Sequence, residues 1–193
     1  MPELVELASG HAAQELAASL PRRWQDVQGV AAKAREIARV VPEKVRDLLI
    51  AAAWLHDIGY APNIAHTGFH SLDGARWLLQ QGQSPRLAAL VAYHSCALFE
   101  AEERGLAGAL VAEFEQEHSI TADALWYADM TTTPDGTPIE VTTRLDEIGE
   151  RYGPERLVTR FWVRARPTLL AAIDRVERVA QPIAGGQAWR ASA

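Results

Sequence analysis

The chain has 193 residues, 48% of them hydrophobic and 23% charged, and carries a net charge of −6. That length buries a substantial core, and the negative balance lacks the basic footprint of nucleic-acid binders, so no nucleic-acid partner is expected. A single cysteine, Cys96, excludes an internal disulfide and a cysteine-only zinc site.

Helical periodicity runs along the whole sequence. Residues 3–19 read as a first amphipathic helix stopped by Pro21, and 22–40 as a second, with Val27, Val30, Ala31, Ala34, Ile37 and Ala38 on one stripe. Pro42 suits a helix start. The helix expected over about 42–57 is apolar nearly all round, as a central buried helix would be, and ends on His56 and Asp57. Gly59 breaks it, and 60–69 read as a loop. Residues 71–81 form a short helix ended by Gly82, and Pro85 opens another to about 96. Residues 97–116 read as a charged helix and 120–130 as an apolar one containing Asp129. Turn residues fill 131–138. The last helices are expected at 140–151 and 154–179, the second kinked or interrupted at Pro167. Residues 184–193 read as a mobile tail. No period-2 strand and no internal repeat is visible. The expectation is an all-α, single-domain helical bundle spanning 1–183.

No apolar run approaches the ~20 residues that cross a bilayer. The N-terminus, Met-Pro-Glu-Leu-Val-Glu, lacks a basic, signal-like start. A cytoplasmic protein without a membrane partner is therefore expected.

The chemistry concentrates in a few polar residues at helix ends. A carboxylate inside an apolar helix is costly unless it is paired or bound to a metal. His56 and Asp57 close one helix, His70 begins the next, His94 lies near the end of another, and Asp129 sits at a fourth. These could converge on one pocket. Mixed histidine and carboxylate ligands suit Fe, Mn, Zn, Co or Ni.

The pattern resembles the HD-domain superfamily of metal-dependent phosphohydrolases. It rests on Arg23-Trp24, Val27, Gly29-Val30-Ala31, Trp54-Leu55-His56-Asp57-Ile58-Gly59, His70-Ser-Leu-Asp-Gly-Ala75, Tyr93-His94-Ser95 and Tyr127-Ala128-Asp129. It covers roughly residues 20–150. The resemblance implies an α-helical bundle that hydrolyses a phosphate ester or anhydride, such as a nucleotide, with one or two divalent metal ions. His56, Asp57 and Asp129 would hold the first ion. His70 and His94 match the two extra histidines of dinuclear members and would hold a second, with Asp57 bridging and orienting the attacking water. One position departs from the family pattern: where its first ligand is a histidine, this chain has Asp26. An aspartate can ligate the same metals, but it is shorter and adds a negative charge.

Candidate substrate contacts are Arg23 and Arg76, set against a reading as surface ion pairs; Tyr60, which either touches substrate or packs; and His66, which either meets phosphate or is a solvated loop residue. Asp73 either orients His70 or caps its own helix. Trp54 and Trp126, on ligand-bearing helices, are expected to wall the pocket. Two other readings use the same residues. Some relatives with the six-ligand arrangement are di-iron oxygenases. Alternatively, Asp26 marks a weakened site in a domain that binds a nucleotide or a protein partner.

Overall fold

A computed structural model describes residues 2–153 and 155–181, which form ten α-helices and no strand. The all-α expectation holds for them. The segment expected to be a mobile tail, 184–193, lies outside the described residues, as does Pro154.

The first three helices build the floor beneath the site. Helix α1 (Pro2–Leu16) buries Ala8, Ala12 and Leu16 at helical spacing and packs on α3 (Arg46–Leu55). Helix α2 (Pro21–Ile37) starts on a proline, whose missing N–H costs nothing at a helix start. Its buried stripe is Val27, Val30, Ala31, Ala34 and Ile37, and Asp26 is buried beside it. Helix α3 is shorter than expected. Glu43–Val45 is a 3-10 turn, and the regular helix ends at Leu55. Every residue from Leu49 to Leu55 is buried. His56 is thus the helix cap, and Asp57 already turns away with φ −104° and ψ 10°.

Helices α4 (His70–Gln80) and α5 (Pro85–Ala92) pack against each other. The Ser84 hydroxyl caps α5 by accepting the Leu87 N–H at 3.2 Å. The helix expected to reach 96 stops at Ala92, because Ser95 and Cys96 adopt left-handed backbone with φ 45° and 62°. Such a conformation costs a non-glycine residue about 1–2 kcal/mol, so surrounding contacts must impose it. Two contacts do: the Trp126 Nε1–H donates to the Tyr93 carbonyl at 2.9 Å, and the Ser95 hydroxyl donates to Asp129. Cys96 is therefore buried in a turn rather than on a helix.

The single helix expected over 97–116 is two, α6 (Ala97–Glu103) and α7 (Ala107–Glu113). Gly105 separates them with φ 71°, a value that glycine adopts at little cost. Helix α8 (Ile120–Met130) is capped by the Ser119 hydroxyl and lies between two apolar clusters. Ala124, Leu125 and Ala128 join the cluster of α1–α5, while Trp126 and Met130 join that of the last two helices.

Helix α9 (Val141–Tyr152) buries Val141, Leu145 and Ile148, and α10 (Leu157–Ala180) covers α8. A two-pronged contact from Arg175 to Asp123, 2.7 Å at each prong, ties α10 to α8. Pro167 does not interrupt α10. It leaves the carbonyl of Val163 without its helical partner, but that residue is 70% exposed, so water can serve it. Among the described residues, no helix is long and apolar enough to cross a membrane.

Candidate metal centre

Two histidines are set by the same local device. A helix C-terminus leaves carbonyls without N–H partners. At the end of α3, the His56 Nδ1–H donates to the Ala53 carbonyl at 2.8 Å; at the end of α5, the His94 Nδ1–H donates to the Val91 carbonyl at 2.6 Å. A carbonyl only accepts, so a proton sits on Nδ1, and each ring in its neutral form presents the lone pair of Nε2 to the interior.

Asp57 is the hub. Its Oδ1 lies 3.2 Å from His70 Nε2 and 3.8 Å from His94 Nε2, and those two nitrogens are 3.1 Å apart. Its Oδ2 is 3.5 Å from His56 Nε2 and accepts a hydrogen bond from Arg23. The same Arg23 nitrogen reaches Asp26 Oδ2 at 2.9 Å. Asp129 completes the ring, with Oδ1 3.7 Å from His56 Nε2 and Oδ2 accepting from Ser95. All six sequence-derived ligand candidates thus surround one point, carried by α2, α4, α8 and the ends of α3 and α5.

A family model described as "HD domain" matches residues 23–132. The chain belongs to the HD-domain family. No match was found among curated proteins or solved structures. The HD-domain family is one of metal-dependent phosphohydrolases, and all six clustered residues fall inside the matched segment.

The HD cluster has more negative than positive charge. Three carboxylates, Asp26, Asp57 and Asp129, face one guanidinium, Arg23. Burial, then the Asp57 charge, pushes the Asp26 carboxyl up to about 7. Burial pushes His56 down, but Asp57, Asp129 and Asp26 outweigh it, so the net shift is upward: the carboxylates call for a cation between them. Burial also works against ionised Asp57, yet Arg23, His56 and His70 hold its carboxyl well below the usual range. His94 is pushed down to about 4 by burial and by the neighbouring His70 and His56, which keeps it neutral and able to ligate.

These residues fit a divalent cation. His56 Nε2 and Asp26 Oδ1 are buried without any hydrogen-bond partner, which in a native interior needs an explanation. Asp26, His56 and Asp57 bring ligand atoms within 4.8 Å of one another, and so do Asp57, His70 and His94. Nitrogen and carboxylate ligands that sit about 2.1 Å from one ion lie close to such spacings.

The cluster opens into a cavity of about 350 Å³. Tyr60 lines it, stacking on the His70 ring at 4.1 Å with the Arg23 guanidinium 4.2 Å from its own ring. Two candidate contacts lie elsewhere. Arg76 does not line the cavity and is held at the surface by both oxygens of Glu113, at 2.5 and 2.7 Å. His66 is exposed and also lies off the cavity; only its backbone N–H is engaged, by Asp73. Asp73 neither orients His70 nor caps its own helix. Its Oδ2 accepts the N–H groups of His66 and Thr67, both at 2.9 Å, and so fastens the loop that leads into α4.

Trp54 and Trp126 do not line the cavity either. Trp54 stacks with Trp24, and Trp126 bonds to Tyr93. The aromatic wall is instead Phe161 and Trp162 of α10, which sequence reasoning did not find. Arg144 and Arg151 of α9 were also missed, as was the Ser95 contact to Asp129. Amphipathic helices carry no mark that tells a cavity-facing arginine from a solvated one.

Proposed function

We propose that the chain is a metal-dependent phosphohydrolase that cleaves a phosphate ester or anhydride of a nucleotide. The observation that carries this reading is the convergence of two buried histidine lone pairs and three carboxylates on the floor of a cavity lined by five arginines. In this reading Asp26, His56, Asp57 and Asp129 hold one divalent ion, and His70, His94 and Asp57 a second. A bound divalent ion there acidifies water and polarises a phosphoryl oxygen.

The chain's own groups do the rest. Asp57 accepts a hydrogen bond from the attacking water and turns its lone pair toward phosphorus. Arg23, anchored by Asp26 and Asp57, offers its remaining N–H groups to the phosphate. Tyr60 fixes the plane of His70 by stacking and keeps bulk water from that side. Ser95 fixes Asp129.

The test is metal content per chain, by plasma mass spectrometry on protein purified without chelator or histidine tag, followed by a panel of nucleotides with each of Fe, Mn, Zn, Co and Ni. One to two equivalents of metal and a phosphate release that a chelator abolishes are expected. Absence of metal after reconstitution with each ion overturns the reading. Release of oxidised product with O₂ uptake, and no phosphate, replaces it with oxygenase chemistry.

Asp26 has its own test. Asp26→Ala removes one ligand of the first ion only, so stoichiometry is expected to fall by about one equivalent while the second ion stays. A stoichiometry equal to that of the wild type would take Asp26 out of the ligand set.

A further inference from the structure

The cavity has a second cationic wall opposite in character to the Asp57 cluster, and it comes from outside the matched family segment. Helix α9 follows residue 132, where the match ends. Arg144 and Arg151 both line the cavity, with Ile148 between them. Seven residues are nearly two helical turns, so the two arginines stand on one face about 10 Å apart along the axis.

Neither arginine has an ion-pair partner among the described residues. The other three arginines of the cavity do: Arg23 meets Asp26 and Asp57, Arg104 meets Glu100, and Arg22 lies 3.9 Å from Asp135. Arg144 goes further. Its Nε is withdrawn from solvent and has no acceptor, so its N–H donor has lost water and gained nothing. The Arg46 Nε is in the same state, but Arg46 lies off the cavity that Arg144 lines. Beside them Trp162 is only half-buried and offers part of its ring to the same space.

We propose that Arg144 and Arg151 form a second phosphate subsite, so that the substrate carries a phosphate besides the one cleaved at the Asp57 cluster. The proposal rests on the phosphohydrolase reading and narrows its substrate to bisphosphorylated nucleotides. A cavity of about 350 Å³ holds one such small molecule rather than a polymer. The guanidinium pair supplies the planar donors that phosphate oxygens accept, and Trp162 supplies a stacking face for a base.

The test titrates metal-loaded protein calorimetrically with adenosine 5′-monophosphate and with adenosine 3′,5′-bisphosphate. Phosphate release from p-nitrophenyl phosphate is followed separately. The bisphosphate is expected to bind at least tenfold more tightly than the monophosphate. In Arg144→Gln/Arg151→Gln that advantage is expected to shrink to within twofold, with monophosphate affinity unchanged. Arg151→Gln alone, at an exposed position that folding tolerates, is expected to lose part of it. Equal affinity for the two nucleotides in the wild type, no measurable binding of either, or an advantage that survives the double substitution overturns the proposal. Failure to release phosphate from p-nitrophenyl phosphate, with the binding difference intact, strikes the hydrolase reading instead.

Discussion

Asp57→Asn is expected to strip the protein of metal, to below about 0.2 equivalents per chain, and to lower phosphate release at least a thousandfold. Asparagine keeps the shape of the side chain and removes only its charge. That charge is what Arg23, His56, His70 and His94 share, and Asp57 is the residue common to both ligand groups. Any other single substitution leaves one group whole.

The same substitution is expected to do much less to the metal-free fold. Asp57 has a depressed carboxyl pKa, so its charge stabilises the folded state above the usual carboxylate range, and that contribution is lost as pH falls. Asp26 has a raised one, so its charge opposes folding as pH climbs toward about 7. Neutralising Asp57 removes the first contribution and relieves the second, because Asp57 is among the groups that hold Asp26 up. The two changes oppose each other.

Thermal unfolding separates these consequences. A ligand at a hundred times its Kd stabilises the folded state by about 2.7 kcal/mol. For a chain of this size that raises Tm by roughly 5–11 °C. Wild-type protein is expected to show that rise on adding metal. Asp57→Asn is expected to show none, with a metal-free Tm within a few degrees of wild type. A variant that still gains stability from metal would remove Asp57 from the ligand set.

How much of this was legible in the sequence depended on whether a residue's role was set locally. His56 and Asp57 were readable because a polar pair closing an apolar helix has few physical explanations. The turn at Ser95 and Cys96 was not, since nothing in Tyr93-His94-Ser95-Cys96 favours left-handed backbone; contacts from Trp126 and Asp129, more than 30 positions away, impose it. The break at Gly105 is locally encoded: the charged run stops at Arg104, and Gly105-Leu-Ala-Gly108 follows without a charge, although the stretch as a whole still reads as helical. Pro167 signalled an interruption that solvent made unnecessary at Val163. Arg76 and Arg144 look alike as helical arginines. Only packing shows that one meets Glu113 at the surface while the other turns into the cavity.

Gly59→Ala tests how the site is held together by backbone rather than by side chains. A β-carbon at position 59 would lie 2.0 Å from the His70 carbonyl oxygen and 2.6 Å from the Gly74 nitrogen. Both are backbone atoms of α4, so no side chain can swing aside. The turn that follows Asp57 would have to part from the first turn of α4, and that turn carries His70. Overpacking in a core usually costs about 1–3 kcal/mol, and a backbone clash belongs at or above the top of that range. A cost of about 3 kcal/mol corresponds to a fall in Tm of roughly 6–12 °C.

The second consequence is specific to the site. Separating Asp57 from His70 lengthens the 3.2 Å approach on which the Asp57, His70 and His94 group depends. The ion held by that group is expected to be lost or weakened 10- to 100-fold, while the ion held with Asp26 and His56 persists. Leu16→Ala supplies the comparison. Leu16 is fully buried on α1, and its truncation costs about 2–5 kcal/mol by leaving a cavity. It lies on α1, which carries none of the candidate ligands, so Leu16→Ala is expected to lower Tm comparably and to keep the full metal complement. Equal loss of metal in the two variants would mean that binding follows global stability. Loss confined to Gly59→Ala would assign to one glycine, through the close approach of two backbones, the spacing between the HD doublet and its partner histidine.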